Sequence, residues 1–343
     1  MIPANLHNHF DIIQSEGIDV DGLFEVKEIP FQEKFIRRFA SPVVNKMPSS
    51  IRWLSTDMAK RLRNPGRMLK LHYPLDFEEN KKIVERIKML NARPWWGKRA
   101  VVCLCHDVDT REGAAFVKEM AAINQHFGVA ATFQFLTGDD YPLDPALLKA
   151  LAEGGFEIGL HGLTHDQGFA FRDEATMLEQ LSRALNALEG FDVVGYRSPA
   201  LSLSDQLLRQ LKRLHLLYDS SFQIASPFYN SVKLPFPVYL KPYGIWELPL
   251  MVQDDNYLRD TRTQEDVMLD SMHRFIRETV LLNGACVILM HPHNMMGRKE
   301  FYKRFLKMLK EFDEVSFRTM KEVVRYVDGG LAMEPQEILA RSG

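Results

Sequence analysis

The chain of 343 residues is 46% hydrophobic and 26% charged, a composition typical of a globular protein with a large core. Its 43 lysines and arginines nearly balance its 45 aspartates and glutamates, so no overall basic field favours a dedicated nucleic-acid-binding protein. The sequence contains no apolar stretch of about 18 uncharged residues and no basic segment followed by an apolar run. These absences predict a cytoplasmic protein without a membrane-spanning helix or a secretory signal.

Residues 1–97 are the least regular part of the sequence and are predicted to be an extension of unknown role. Prolines divide them into short pieces, with a helix expected near residues 50–63, a turn at 64–66 and a second helix near 76–90. Residues 51–100 carry thirteen lysines and arginines against five acidic residues. Apolar residues at 54, 58 and 62 share a helical face beside basic side chains, namely Lys60, Arg61 and Arg63. This face predicts either a helix packed on the rest of the protein or a surface for an anionic membrane or lipid-linked substrate.

A His-x-His pair, His7 and His9, stands near the start of the chain. Such a pair is typical of the first barrel strand in metal-dependent phosphoesterases and amidohydrolases. Here Pro3 interrupts the short segment and no barrel unit follows it, so a surface segment is the favoured interpretation.

From about residue 98 the pattern changes to short apolar runs that alternate with amphipathic stretches. Strands are predicted at 100–106, 130–136, 156–161, 192–197, 216–219, 245–250, 285–291 and 314–318, with helices in the gaps near 112–126, 144–153, 173–189, 203–214, 263–283, 299–312 and 319–327. Seven or eight such units predict an α/β barrel over residues 98–328, followed by a tail at 329–343. In such barrels the chemistry gathers at the carboxyl ends of the strands.

The three cysteines lie in apolar, strand-like runs and are Cys103, Cys105 and Cys286. They are too few for a disulfide framework, and the first two form Cys-x-Cys, not Cys-x-x-Cys. We expect them to be reduced and buried.

Polar residues that suit metal chemistry stand at the ends of the first and third predicted strands. Asp107 and Asp109 follow the first strand with a spacing that directs both side chains to one side. His161 and His165 follow the third strand with a spacing that lets two imidazoles share a metal. Each pair alone is also explained by turn capping or by unrelated polar loop residues.

Later strand ends add further candidates, namely Arg197, Asp219 and His291. Alone, each has an ordinary explanation: a surface guanidinium, a cap on the next turn and a histidine at the rim of the core. Carboxylates, imidazoles and a guanidinium at successive strand ends are together much stronger evidence for an active site than any one of them.

The chain presents, in order, HDVD, HGLTH, RSPA, YDSS and MHPH. This series resembles the motifs of the polysaccharide deacetylases, the NodB-homology family, over roughly residues 98–328. The resemblance implies a distorted (β/α)7 barrel and a metal-dependent enzyme that removes acyl groups from amino sugars. It assigns the metal to three ligands, Asp109, His161 and His165.

The same resemblance assigns the catalytic residues. It implies that Asp107 is the general base, oriented by Arg197 through a bidentate pair, and that His291 is the general acid, supported by Asp219. Val108 separates two aspartates that are commonly adjacent in the family, so the base and ligand roles of Asp107 and Asp109 remain open to exchange. The D-V-D-T form is similar to the branch that deformylates lipid-linked amino sugars.

Two histidines and one carboxylate make zinc the first choice of metal, with cobalt, nickel, manganese or iron as alternatives. The predicted function is removal of an acetyl or formyl group from an N-acylated amino sugar or glycan. The alternatives are an amide hydrolase for a small non-sugar substrate and a non-catalytic carbohydrate-binding barrel. Phosphoester hydrolysis calls for several metals and more carboxylate ligands than these motifs offer.

Overall fold

The computed structural model describes residues 25–26, 71–72, 93–222, 236–255 and 265–332. In the extension, Glu25–Val26 pairs antiparallel with Leu71–His72. The predicted helices near 50–63 and 76–90, the basic helical face and the His-x-His pair lie outside the described residues.

Strands and helices alternate through the rest of the chain, as the sequence predicts. The strands are β1 (Ala100–Val108), β2 (Ala131–Leu136), β3 (Glu157–Gly162), β4 (Gly195–Tyr196), β5 (Tyr218–Asp219), β6 (Val238–Leu240), β7 (Ile245–Glu247), β8 (Leu250–Gln253), β9 (Ala285–Leu289) and β10 (Val315–Phe317). The helices are α1 (Arg111–His126), α2 (Pro145–Glu153), α3 (Glu174–Asn186), α4 (Asp205–Arg213), α5 (Glu265–Leu281), α6 (Pro292–Met296), α7 (Lys299–Leu309) and α8 (Met320–Ala332).

The parallel strands form a ring of seven. From β1 the order runs through β2, β3, β4 and β5 to β7, while β8 pairs with β9 and β9 pairs with β1. Only Leu248 and Pro249 separate β7 from β8, so one interrupted strand bonds with its first half to β5 and with its second half to β9. This arrangement is the predicted distorted (β/α)7 barrel. Antiparallel β6 pairs with β7, and β10 pairs with the first residues of β1.

Alternation along each strand separates two cores. In β1, Val102 and Leu104 pack outward against the helices, whereas Val101, Cys103 and Cys105 face the barrel interior. The three cysteines are buried and free, as predicted, and burial raises their pKa values. Continuing the same alternation sends the acidic residues at the end of β1 to the inside of the barrel.

The amino-terminal end of the barrel is closed by α8 and by residues from the end of the extension. Trp95 is fully buried there against Val323 and Val327 of α8. Its Nε1 donates a hydrogen bond of 2.8 Å to the carbonyl oxygen of Asn283. The predicted joint between extension and barrel is therefore packed into the barrel core. The carboxyl end is left for the functional site.

Local sequence signals set where the helices begin. The Thr110 side chain accepts a hydrogen bond from Gly113 N at the start of α1, directly after the end of β1. Asp144 caps α2 in the same way, with Pro145 as its first residue. The predicted barrel elements match the described ones closely. Antiparallel β6, short α6 and the break within 245–253 are additions, and α8 extends four residues past the predicted boundary at 328. Within the described part of the chain, the helices are too short or too polar to cross a membrane.

Candidate active site

The carboxyl ends of β1 and β3 bring three potential metal ligands together. Asp109 follows β1 directly, His161 lies in β3 and His165 follows that strand. One ligand atom from each residue lies within 4.8 Å of the others. His161 Nε2 is 3.1 Å from Asp109 Oδ1, and His165 Nε2 is 3.6 Å from Asp109 Oδ2. These are the residues that the sequence predicts as metal ligands.

A glycine between the two histidines allows the chain to turn at this point. Gly162 has a φ of 123°, in the region that side chains other than glycine rarely adopt. The turn brings His165 back over the strand end, where its ring centroid lies 5.5 Å from that of His161.

The spacing and hydrogen bonding of the donor atoms fit a divalent cation. Metal–ligand bonds of about 2.1 Å place neighbouring donors about 3.0 Å apart at right angles and about 3.4 Å apart in a tetrahedron. The carbonyl oxygen of Arg197 accepts a hydrogen bond of 2.8 Å from His161 Nδ1, which leaves Nε2 of the neutral ring as a lone-pair donor. Asp109 Oδ1 beside it is buried and has no hydrogen-bond partner among the described residues. These two atoms lie 3.1 Å apart, a separation that suits two ligands of one cation.

The electrostatics of the site favour positive charge. Burial alone raises the pKa of Asp109, but the imidazoles of His165, His161 and His291 outweigh it and hold that pKa well below its ordinary value. Burial lowers the pKa of His165. Burial also acts to lower the pKa of His161, but Asp107 and Asp109 outweigh that effect and raise it. The site therefore presents a carboxylate that stays ionised, which is the state in which it can bind a cation.

Asp107 is paired with Arg197 inside the barrel. Arg197 Nη1 lies 3.2 Å from Asp107 Oδ1, and the guanidinium is fully buried. The other donors go elsewhere: Nε to the Ser220 carbonyl oxygen at 2.7 Å, Nη2 to Ser220 Oγ at 2.6 Å, and Nη1 also to Cys105 Sγ at 2.9 Å. Arg197 thus contacts Asp107 as predicted, but through one nitrogen and not bidentately, because Ser220 occupies the rest of the fork.

His291 lies at the end of β9 and is held by Asp254 at the end of β8. Its Nδ1 is 2.6 Å from Asp254 Oδ1, and its backbone N donates to Asp254 Oδ2 at 2.8 Å. Burial lowers the pKa of His291, but the carboxylates of Asp254 and Asp255 outweigh this effect and raise it well above the ordinary value. The free Nε2 lies 3.6 Å from Asp109 Oδ2. The imidazole of His291, whose protonated form these carboxylates favour, therefore faces the three candidate metal ligands.

Comparisons with known proteins agree with this geometry. Residues 97–218 match the family model described as polysaccharide deacetylase. The peptidoglycan deacetylase-like protein FGM2 of Gibberella zeae is 26% identical over 144 residues, which are 40% of this chain and 43% of that protein. Residues 97–218 therefore match a polysaccharide deacetylase domain, in agreement with the predicted resemblance. The chain covers less than half the length of this curated relative.

Solved structures share the fold of this chain. A Mycobacterium smegmatis protein assigned to the polysaccharide deacetylases matches with a TM-score of 0.58 at 21% identity, over 69% of this chain and 93% of that one. A Pseudomonas aeruginosa protein with the same assignment matches with a TM-score of 0.56 at 15% identity, over 76% and 100%. PuuE allantoinase matches with a TM-score of 0.55 at 15% identity, over 76% and 98%. At these identities the likeness shows the fold.

Within the described residues, Asp219 forms no hydrogen bond with His291, the residue that it is predicted to support. Its carboxylate accepts hydrogen bonds from Ser221 N at 3.0 Å and Ser221 Oγ at 2.8 Å, and it pairs with the carboxyl of Glu247 on the next strand. Burial raises the pKa values of both acids, and their proximity raises that of Glu247 further. The partner of His291 is Asp254. Asp219 and Glu247 instead lie opposite each other at neighbouring strand ends.

Motif order misses four residues of the candidate site, namely Asp254, Asp255, Asn294 and Ser220. Asp254 and Asp255 follow β8 directly, so the rule that chemistry gathers at strand ends also applies to them. Asn294 Nδ2 donates to Asp254 Oδ2 at 3.1 Å and to Asp255 Oδ1 at 3.0 Å, which fixes the two carboxylates beside His291. Ser220 adjoins Asp219 in the YDSS motif.

Proposed function

We propose that the protein is a metal-dependent hydrolase that removes an acetyl or formyl group from an N-acylated amino sugar or glycan. One observation carries this proposal: Asp109, His161 and His165 bring their ligand atoms together at one point. The ion pair of Asp107 with Arg197 lies at the end of the same strand as Asp109, and the His291 imidazole faces Asp109. The domain family and the name of the Gibberella zeae relative support a glycan substrate.

Asp109, His161 and His165 would hold the metal, with zinc as the first choice. The chemistry that a divalent cation supplies in such a site is a lower pKa for water and polarisation of an amide carbonyl. Two imidazoles and one carboxylate leave positions open for both water and substrate.

Asp107 and His291 divide the proton transfers between them. Asp107, held by Arg197, accepts a proton from water as the water oxygen bonds to the acyl carbon. The carbon–nitrogen bond then breaks, and His291 gives the proton on Nε2 to the departing amine. Asp254 receives the Nδ1 hydrogen bond throughout and keeps the ring charged before the transfer. The products are a carboxylate and a free amino group.

The test measures metal content and acyl release together. Protein stripped with a chelator is reloaded with zinc, cobalt, nickel, manganese or iron. It is then assayed for acetate and formate release from N-acetylglucosamine oligomers and N-formyl amino sugars. The proposal predicts about one metal per chain and release that requires it. The His161→Ala/His165→Ala double variant is expected to lose both the bound metal and acyl release. Asp107→Asn is expected to keep the metal and to lose acyl release. Acyl release by the metal-free double variant contradicts the proposal.

Other products in the same assay identify the rival functions. Release from small non-sugar amides alone indicates the alternative hydrolase, whose class is represented among the structures with this fold by PuuE allantoinase. Glycan binding without bound metal indicates a non-catalytic barrel. Phosphate release from phosphoesters indicates the third rival.

A further inference from the structure

Strand β2 directs one polar side chain into the barrel beside the proposed base. Phe133 and Phe135 of β2 pack outward among the helices, so Gln134 between them faces inward. In the register of the sheet, Gln134 is opposite Asp107 on one side and Gly159 on the other. His161 lies two residues beyond Gly159 on the same inward side of β3. Gln134 therefore lies level with Asp107 and one inward-facing position below His161, a proposed metal ligand.

The amide of Gln134 has no hydrogen-bond partner among the described residues. The residue is fully buried, and both Nε2 and Oε1 are buried without a bond. Thr132, the other inward polar residue of β2, differs, because its hydroxyl donates to Glu157 Oε2 at 2.7 Å and accepts from Met320 N at 3.1 Å. An unsatisfied buried amide destabilises a protein, so its presence calls for a functional reason or an ordered water.

The barrel wall is shaped to hold this amide. A Cβ atom at Gly159 would lie 2.3 Å from Gln134 Oε1 and 2.7 Å from Gln134 Cδ, both far inside contact distance. Only glycine leaves room for the glutamine at this point. Gly159 thus makes room for the buried Gln134 amide, which an apolar side chain could replace if only packing mattered.

Asp107 has one oxygen, Oδ2, to which Arg197 donates no hydrogen bond. Arg197 donates to Asp107 Oδ1, and no other hydrogen bond to this carboxylate occurs within the described ranges. Gln134 is the register partner of Asp107 on the neighbouring strand, and its amide makes no direct hydrogen bond within the described residues. Buried waters typically make about three hydrogen bonds to such otherwise unpaired groups.

We propose that Gln134 is a positioning residue that binds one buried water molecule and, through it, holds the Asp107 carboxylate. The water donates one hydrogen to Gln134 Oε1 or to a neighbouring acceptor and the other to Asp107 Oδ2, and it accepts from Gln134 Nε2. Asp107 is then fixed at both oxygens, by Arg197 and by the water. The inference rests on the proposed function, since it explains how the base keeps its orientation.

Gln134→Met tests the inference, because methionine has a similar length and cannot form these hydrogen bonds. The metal-loaded variant is expected to keep about one metal per chain, an unchanged KM and an unchanged preference between acetyl and formyl substrates. Its kcat is expected to fall at least tenfold, while its thermal midpoint stays level or rises. A purely structural role predicts a lower thermal midpoint with kcat retained.

Thr132→Val is the matched control on the same strand. It breaks the bonded network with Glu157, so its thermal midpoint is expected to fall while kcat stays within twofold of wild type. A kcat within twofold in Gln134→Met overturns the proposal. A changed KM or acyl preference in that variant also overturns it and indicates direct substrate contact.

A high-resolution crystal structure of the wild-type protein gives a readout that needs no activity. It is expected to show a water within hydrogen-bond distance of both the Gln134 amide and Asp107. The absence of such a water overturns the inference, and this readout remains available if the Gln134→Met variant does not fold. A wild type that is inactive with every metal and acyl substrate refutes the proposed function. Active wild type with equally active Gln134→Met refutes only the role of Gln134.

Discussion

Replacement of Asp254 by asparagine removes the charge that faces Nδ1 of His291 and keeps the shape of the side chain. Asp254 is fully buried and its Oδ1 lies 2.6 Å from that nitrogen, so solvent screens the pair little. Hydrogen bonds to charged groups contribute about 1.5–3 kcal/mol. At about 1.4 kcal/mol per tenfold change, losing the charge weakens proton binding by His291 by about 10- to 150-fold.

The direction of the pH effect follows from the need for protonated His291. Burial lowers the pKa of His291, and the Asp254 carboxylate is the largest of the influences that raise it, so the acid stays charged as pH rises. In Asp254→Asn the alkaline limb of kcat/KM is expected to move to lower pH. Activity above that limb should fall by about 10- to 150-fold, the factor obtained from the hydrogen bond. Metal content, measured beside the pH profile, should not change.

Asp219→Asn is the matched control, because it removes an equally buried charge from the neighbouring strand end. Asp219 bonds to Ser221 and not to His291, so the alkaline limb should stay in place. If Asp219→Asn moves the limb and Asp254→Asn does not, the assignment of Asp254 to His291 is refuted. If both variants keep the wild-type profile, His291 is not the acid.

Three further predictions concern stability and metal. Burial raises the pKa of Glu247 in the folded protein, so its contribution to stability is present at low pH and is lost as pH rises toward the folded pKa. Glu247→Gln should therefore lose less thermal stability than wild type between pH 5.5 and 8.5, and equal losses contradict this. Trp95→Ala should cost about 3–5 kcal/mol in denaturant unfolding because the indole is fully buried, and a cost below about 1 kcal/mol would show that the extension does not support the barrel. Chelation should lower the thermal midpoint by about 5–10 °C, reversed by added zinc, if metal at about 100 times its Kd stabilises by about 2.7 kcal/mol. His161→Ala should show no such shift.

Local patterns explain why the sequence predicts most of the fold. The apolar runs and amphipathic stretches beyond residue 98 each form an element from neighbouring residues, so their periodicity is sufficient. The break between Glu247 and Leu250 is different, because it depends on which strands accept each half of the segment. That choice is made by packing across the barrel and leaves no signal in the segment itself.

The same distinction separates the predicted and missed parts of the site. Asp109, His161 and His165 come from strands close together in the sequence, and their spacing is a local feature. The pairing of His291 with Asp254 instead requires that β8, and not β5, lies beside β9. Motif order pointed to Asp219, at the end of β5, but that strand contacts only the first half of the interrupted strand.

The interruption at Leu248 and Pro249 has an evolutionary consequence. The proposed metal ligands and the proposed base follow β1 and β3, whereas the carboxylate beside His291 follows the second half of the interrupted strand. A substitution at Leu248 or Pro249 can therefore shift Asp254 while the three proposed ligands stay in place. In such a barrel the proton donor can evolve separately from the cation site.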